Sequence, residues 1–256
     1  KSMTMSLTAP IVAMGGLAVK VFADFEQSMA KVQAVSGATG AEFQKLNTLA
    51  KDLGISTRFT ASQVADLQLN YAKLGFSSEE IEKITESTLN LALASGSDLA
   101  ESATVAASTL NALGLEASAM PHLIDVMANS FASSGLDLDK FKESMKLVAP
   151  AAKATGRSVE KVTGMLSVMA DGGISGSLAG TQLSRVFIEL NKNGLSLSDA
   201  MSTVAKSSDK LGVATDLVGD RGAKALLIMS ENRDSMAELT TSYETQIGVA
   251  AEMAAI

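Results

Sequence analysis

Apolar residues three and four positions apart recur along almost the whole chain, and most such runs are closed by a glycine. That spacing lays one apolar stripe along an α-helix, whereas a half-buried strand needs alternation every two residues. Phe43, Leu46, Leu49, Ala50 and Leu53 form one stripe, and Leu138, Phe141, Met145, Val148 and Ala152 form another. No sustained alternating stretch interrupts them, and proline occurs only at 10, 121 and 150. The fold class that follows is all-α: an array of short helices behind a long N-terminal amphipathic helix, with no β-sheet. The 256 residues include no Trp, 4% aromatics and 13 Met, so the core is aliphatic, filled by Leu, Val, Ala and adaptable Met.

Start and stop signals divide the array. The first helix is expected from about Ala9 to Val35, with Pro10 harmless in its first turn, and Ser36-Gly37 ends it. Thr39-x-x-Glu42, Thr60-x-x-Gln63 and Ser77-x-x-Glu80 read as capping boxes. Gly54 reads as a helix stop, followed by an extended linker over 55–59. Ser97 or Asp98 opens a helix carrying Leu99, Ala103, Ala106, Leu110 and Leu113, and a further helix is expected over 118–133. Pro150 should kink or shorten the helix begun at Leu138. Ser158 caps the helix 159–170, and a single last helix is expected from about Arg233 to Ala255. The organisation expected is a lead-in helix over 1–36, a helical core over 37–195 and an extension over 196–256 that continues into a longer chain.

Four glycines, 172, 173, 176 and 180, fall within nine positions between two helical patterns. Each would cost about 1 kcal/mol inside a helix, so the cluster marks a break, a close backbone approach or a phosphate loop. The phosphate loop fails on spacing. No lysine lies between Lys161 and Lys192 to complete a Walker motif, and the segment before the cluster is helical rather than a strand. Gly173-Ile-Ser175-Gly176-Ser177 also misses the final glycine of a nucleophile elbow. What remains is a stop at Gly172-Gly173, then a helix whose Gly176-x-x-x-Gly180 face admits a second helix closely.

Two stretches resemble each other. Ala50-Lys-Asp-Leu-Gly54, Val64 and Tyr71-Ala-Lys-Leu-Gly-Phe76 match Ala152-Lys-Ala-Thr-Gly156, Val162 and Met169-Ala-Asp-Gly-Gly-Ile174. The offset is 102 for the first piece and 98 for the rest, as if the first copy held a four-residue insertion.

Chemistry-bearing clusters are scarce. A net charge of −7 disfavours a nucleic-acid clamp, so no direct nucleic-acid binding is expected. Without cysteine and with His122 as the single histidine, thiolate and imidazole metal sites are out. Asp137-Leu-Asp139 reads as helix capping, Asp220-Arg221 as a loop ion pair, and Glu79, Glu80, Glu82, Lys83 and Glu86 as a solvated face. No nucleophile, base and oxyanion donor assemble, so no catalytic residue, cofactor or metal is assigned and no enzyme is expected. Leu7 to Val19 is apolar but shorter than the roughly 20 residues of a membrane span.

The chain resembles the core region of phage tail tape measure proteins. The resemblance is carried by Phe22-Ala-Asp-Phe25-Glu26, Met29-Ala-Lys-Val32, Val35-Ser-Gly-Ala-Thr39, Ala72-Lys-Leu-Gly-Phe76, Ala149-Pro-Ala151 and Gly173-Ile174-Ser-Gly176-Ser-Leu-Ala179-Gly180-Thr181. It covers most of residues 9–190 and is weak beyond about 195. It implies a virion structural protein that lies in the tail lumen as a homo-oligomer, sets tail length and scaffolds tube assembly. The implied partners are the tail tube protein, tail assembly chaperones and tail tip or baseplate proteins, with release during DNA delivery. An alternative is a membrane-active module, with residues 1–36 making transient contact with a host membrane.

Overall fold

Side chains that accept from free backbone N–H groups set where many of these helices begin. The structure, a computed structural model, describes the backbone of residues 5–255 and the side chains of residues 20–255. The apolar run Leu7–Val19 therefore lies, for its side chains, outside the described residues. The helices are α1 (Met5–Ser36), α2 (Ala41–Ser56), α3 (Ala61–Lys73), α4 (Ser78–Ser95), α5 (Leu99–Leu113), α6 (Met120–Ser133) and α7 (Leu138–Ala154). They continue as α8 (Val159–Asp171), α9 (Gly176–Lys192), α10 (Leu197–Lys206), α11 (Lys210–Val218), α12 (Asp220–Glu231), α13 (Arg233–Thr245) and α14 (Val249–Ala254). No strand occurs among the described residues, so the chain is all-α.

Two compact units divide between Glu86 and Ser87, within α4. In the first, α1 and α2 both lie along α3, burying Phe25, Met29 and Val32 with Leu46, Ala50, Val64, Leu67 and Tyr71. In the second, α7 lies along α9 and α5 along α7, while α6 and α13 pack on α8 and α12 packs on α9, α10 and α11. Phe141, Leu166, Leu183, Val186 and Phe187 are among its buried side chains, each worth roughly 1.5–3 kcal/mol of transfer free energy.

Several local expectations are corrected. The Thr39–Glu42 box does not form: Gly40, at φ 53°, caps α2 and moves Glu42 out of register, leaving its N–H on the Thr39 carbonyl at 3.2 Å. The boxes at Thr60–Gln63 and Ser77–Glu80 do form. Gly54 does not stop α2, which runs on to Ser56; the linker therefore begins at Thr57. Pro150 does not shorten α7, which continues to Ala154. Pro150 is exposed, and so is Lys146, whose carbonyl loses a partner, so water can replace the missing bond. A 3-10 turn over Ala117–Ala119 precedes α6. The last helix is two, because Gly248 adopts φ 82° between α13 and α14. Asp125 of α6 supplies the reason: its carboxylate accepts the N–H groups of Gly248 at 2.8 Å and Ala250 at 3.1 Å, capping α14 from another helix.

The internal likeness becomes longer and simpler. The last turns of α2 and α7 end on equivalent bonds: Thr57 and Thr155 each donate both N–H and hydroxyl, to the carbonyls of Leu53 and Ala151. These pairs stand 98 residues apart, as do the caps Thr60 and Ser158 and the starts Ser78 and Gly176. No insertion is needed.

Candidate functional site

The glycine cluster builds a turn and then a seam. After α8, the Ile174 N–H reaches the Met169 carbonyl at 2.8 Å and the Gly173 N–H reaches the Ala170 carbonyl at 3.0 Å. With Gly173 at φ 81° this is a Schellman stop, and the buried Ile174 supplies its apolar contact. Ser175 is extended, and Gly176 opens α9 at φ 59°.

Gly176 and Gly180 then play different parts. A Cβ on Gly180 would lie 2.9 Å from the Ser144 Cα and 3.0 Å from the Leu147 Cβ, so α9 touches the α7 backbone there. A Cβ on Gly176 would meet only the Glu143 Cβ, at 4.0 Å. Gly176 is needed for its positive φ, and its carbonyl accepts the Ser144 hydroxyl at 2.9 Å. Ala179 is fully buried in the same seam, whereas Thr181 is exposed and its hydroxyl bonds the Ser177 carbonyl at 2.8 Å. Ser177 donates across the seam to Glu143 at 3.0 Å.

The lead-in residues lie in the first unit. Phe25 is buried, with the Lys51 ammonium 5.4 Å from its ring centre. Phe22 is 62% exposed and Glu26 is exposed.

A second close contact escaped the sequence reading. A Cβ on Gly164 of α8 would sit 2.6 Å from the Thr240 hydroxyl and 3.4 Å from the Met236 carbonyl, both of α13. Of the residues of α13, Tyr243 alone is buried, and its hydroxyl pairs with those of Ser133 at 3.1 Å and Ser167 at 2.9 Å. Burial pushes the Tyr243 phenol up; the two serine bonds oppose this and the Asp171 charge adds to it, so it stays a neutral pin. Asn129 holds the same segment through Ser242 at 3.1 Å and Gln246 at 2.8 Å. The signal was present: Asp125, Asn129 and Ser133 fall four apart on α6, one polar line along a helix that is buried from Leu123 to Ser130.

Ionisable groups do not gather into a reaction centre. Among the described residues no three His, Cys, Asp or Glu side chains converge as a metal site. His122 meets Glu160 at 2.6 Å, joining the first turns of α6 and α8. Burial works to raise the Glu160 pKa, but bonds from the Ser158 hydroxyl, its own backbone N–H and His122 prevail and hold it below the usual range. Asp137 caps α7 through the Lys140 N–H at 2.8 Å. Among the described residues no helix is long and apolar enough to cross a membrane.

Comparison with known proteins gives two results. The family described as "Phage-related minor tail protein" matches residues 47–254. A protein named "Tape measure protein", from Pneumococcus phage Dp-1, is 36% identical over 214 residues, which is 84% of this chain and 18% of that protein. The chain thus spans less than a fifth of the length of that relative.

Proposed function

This chain belongs to the phage tail tape measure family, the phage-related minor tail proteins, and on that premise we propose that it is a helical module of a tape measure protein. The module lies in the tail lumen as part of a homo-oligomer, contributes to tail length and scaffolds the tube, and leaves as DNA is delivered. Its contacts are the tail tube protein, assembly chaperones and tail tip or baseplate proteins. It acts by shape and packing, without catalysis, cofactor or metal. The observation that carries this reading is the family match across residues 47–254, on a chain whose elements are helices packed on one another. A net charge of −7 fits a chain that DNA must pass rather than hold. Quantitative mass spectrometry of intact and DNA-ejected particles tests it. Peptides of this chain are expected in intact virions and depleted after ejection. Their absence from intact virions would overturn the virion role, and equal amounts before and after would overturn release.

A second reading rests on α1, where Val21 is 61% and Phe22 62% exposed: residues 1–36 touch a host membrane during delivery. Liposome flotation with and without residues 1–36 checks it, and equal flotation removes the membrane role.

A further inference from the structure

Residues 20–108 and 118–206 carry the same sequence of local events at a constant spacing. Ser36 and Ser134 each donate to the carbonyl four residues back, at 2.7 Å in both, and accept the N–H two residues on, at 3.2 and 3.3 Å. The buried positions of α2, 46, 47, 50 and 53, recur in α7 at 144, 145, 148 and 151. The stop at Gly75, with the Phe76 N–H on the Tyr71 carbonyl, repeats the stop at Gly173. Gly96 and Gly194 both take φ 64°, and Leu99 and Leu197 open α5 and α10 behind the caps Asp98 and Ser196. Five consecutive helices, α1–α5 and α6–α10, thus form two repeats of one design.

The repeats differ in how closely their second helix lies on the third. In the first, α2 lies along α3. In the second, α7 lies along α9 and touches α8 sparingly. Glycine is placed to match. A Cβ on Gly54 would fall 2.7 Å from the Ala61 Cα, so the end of α2 closes on the start of α3. The equivalent residues of the second repeat are Ala152 and Val159, which carry the side chains that contact excludes. Conversely, Gly176 and Gly180 of α9 correspond to Ser78 and Glu82 of α4. There the α2 and α4 side chains Lys45, Leu49, Ser78, Glu79, Glu82 and Lys83 line a cleft of about 550 Å³, bridged by a Lys45–Glu82 ion pair at 3.3 Å.

We propose that the position of glycine decides which neighbour the second helix of this repeat takes: Gly54 directs α2 onto the third helix, and Gly180 directs α7 onto the fourth. Glu82 keeps the first repeat open at the site that Gly180 closes in the second.

The chain has no cysteine, so pairs of spin labels on introduced cysteines read helix spacing in the full 256-residue chain. Labels at 44 and 73 report the second-to-third helix distance and those at 142 and 171 its counterpart; 48 and 83, and 146 and 181, report the second-to-fourth. In the wild type, 44–73 is expected to be shorter than 142–171, and 48–83 longer than 146–181. Gly54→Ala should lengthen 44–73, and Gly180→Glu should lengthen 146–181. Equal distances in the two repeats of the wild type would overturn the proposal, whatever the variants do. Unchanged distances in folded Gly54→Ala and Gly180→Glu chains would overturn it equally.

Discussion

Helices α2 and α7 occupy equivalent places in two stretches with the same caps, stops and buried positions, yet α2 lies along the third helix of its stretch, whereas α7 lies along the fourth and touches the third sparingly. An apolar stripe fixes which face of a helix is buried. It does not fix what covers that face, since any helix with a complementary stripe serves. The choice falls to steric exclusion, which acts over a few tenths of an ångström. A missing Cβ at Gly54 admits the Ala61 backbone, and a missing Cβ at Gly180 admits that of Ser144.

The sharpest way to break this contrast is Gly180→Leu. Its side chain would meet the Ser144 backbone and the Leu147 Cβ, neither of which can turn aside. Overpacking of that kind costs about 3 kcal/mol, and a urea titration should show it as an earlier loss of second-unit structure. Gly54→Ala comes next, at about 1–2 kcal/mol, because the turn after α2 can open to relieve it; the loss should fall on the first unit. Gly176→Ala is expected to cost about 1 kcal/mol, from left-handed backbone rather than collision. If Gly176→Ala proved as damaging as Gly180→Leu, the separation of the two glycines into a conformational and a contact role would be wrong.

The smallest effect is a pH dependence. The folded Glu160 carboxyl titrates below its unfolded counterpart, so its stabilising contribution is complete above the unfolded value, near 4.5. It is lost as pH falls through the lower folded value. Wild type should exceed Glu160→Gln in urea midpoint at pH 7, and the gap should close at acid pH. A gap unchanged at pH 3 would show that packing, not charge, holds the α6–α8 end together.

Much of the local structure was legible. Thr60 and Ser77 sit three residues before an amide or a carboxylate, and both boxes form because that spacing is set by the helix itself. Gly173 was legible as a stop for the same reason. Pro150 does not end α7 early because a helix tolerates it where the orphaned carbonyl faces water, and which side faces water is a tertiary fact. The break before α14 was invisible in residues 233–255 alone, since the carboxylate that causes it lies on α6. Gly54 reads as an ordinary helix stop, and nothing in the sequence around Gly164 marks it, until a neighbouring helix is placed beside each.

The sequence by itself determined that this chain is helical, where most helices start and stop, which faces they bury and to which family it belongs. Those properties depend on bonds and periodicities within a dozen residues. Only the tertiary structure decided which helix covers which face, which glycines are contacts, and how Asp125, Asn129 and Ser133 fasten the segment around Tyr243. The bonds of Asp125, Asn129 and Ser133 join residues more than a hundred positions apart, and the glycine contacts turn on clearances of a few tenths of an ångström that no local pattern records.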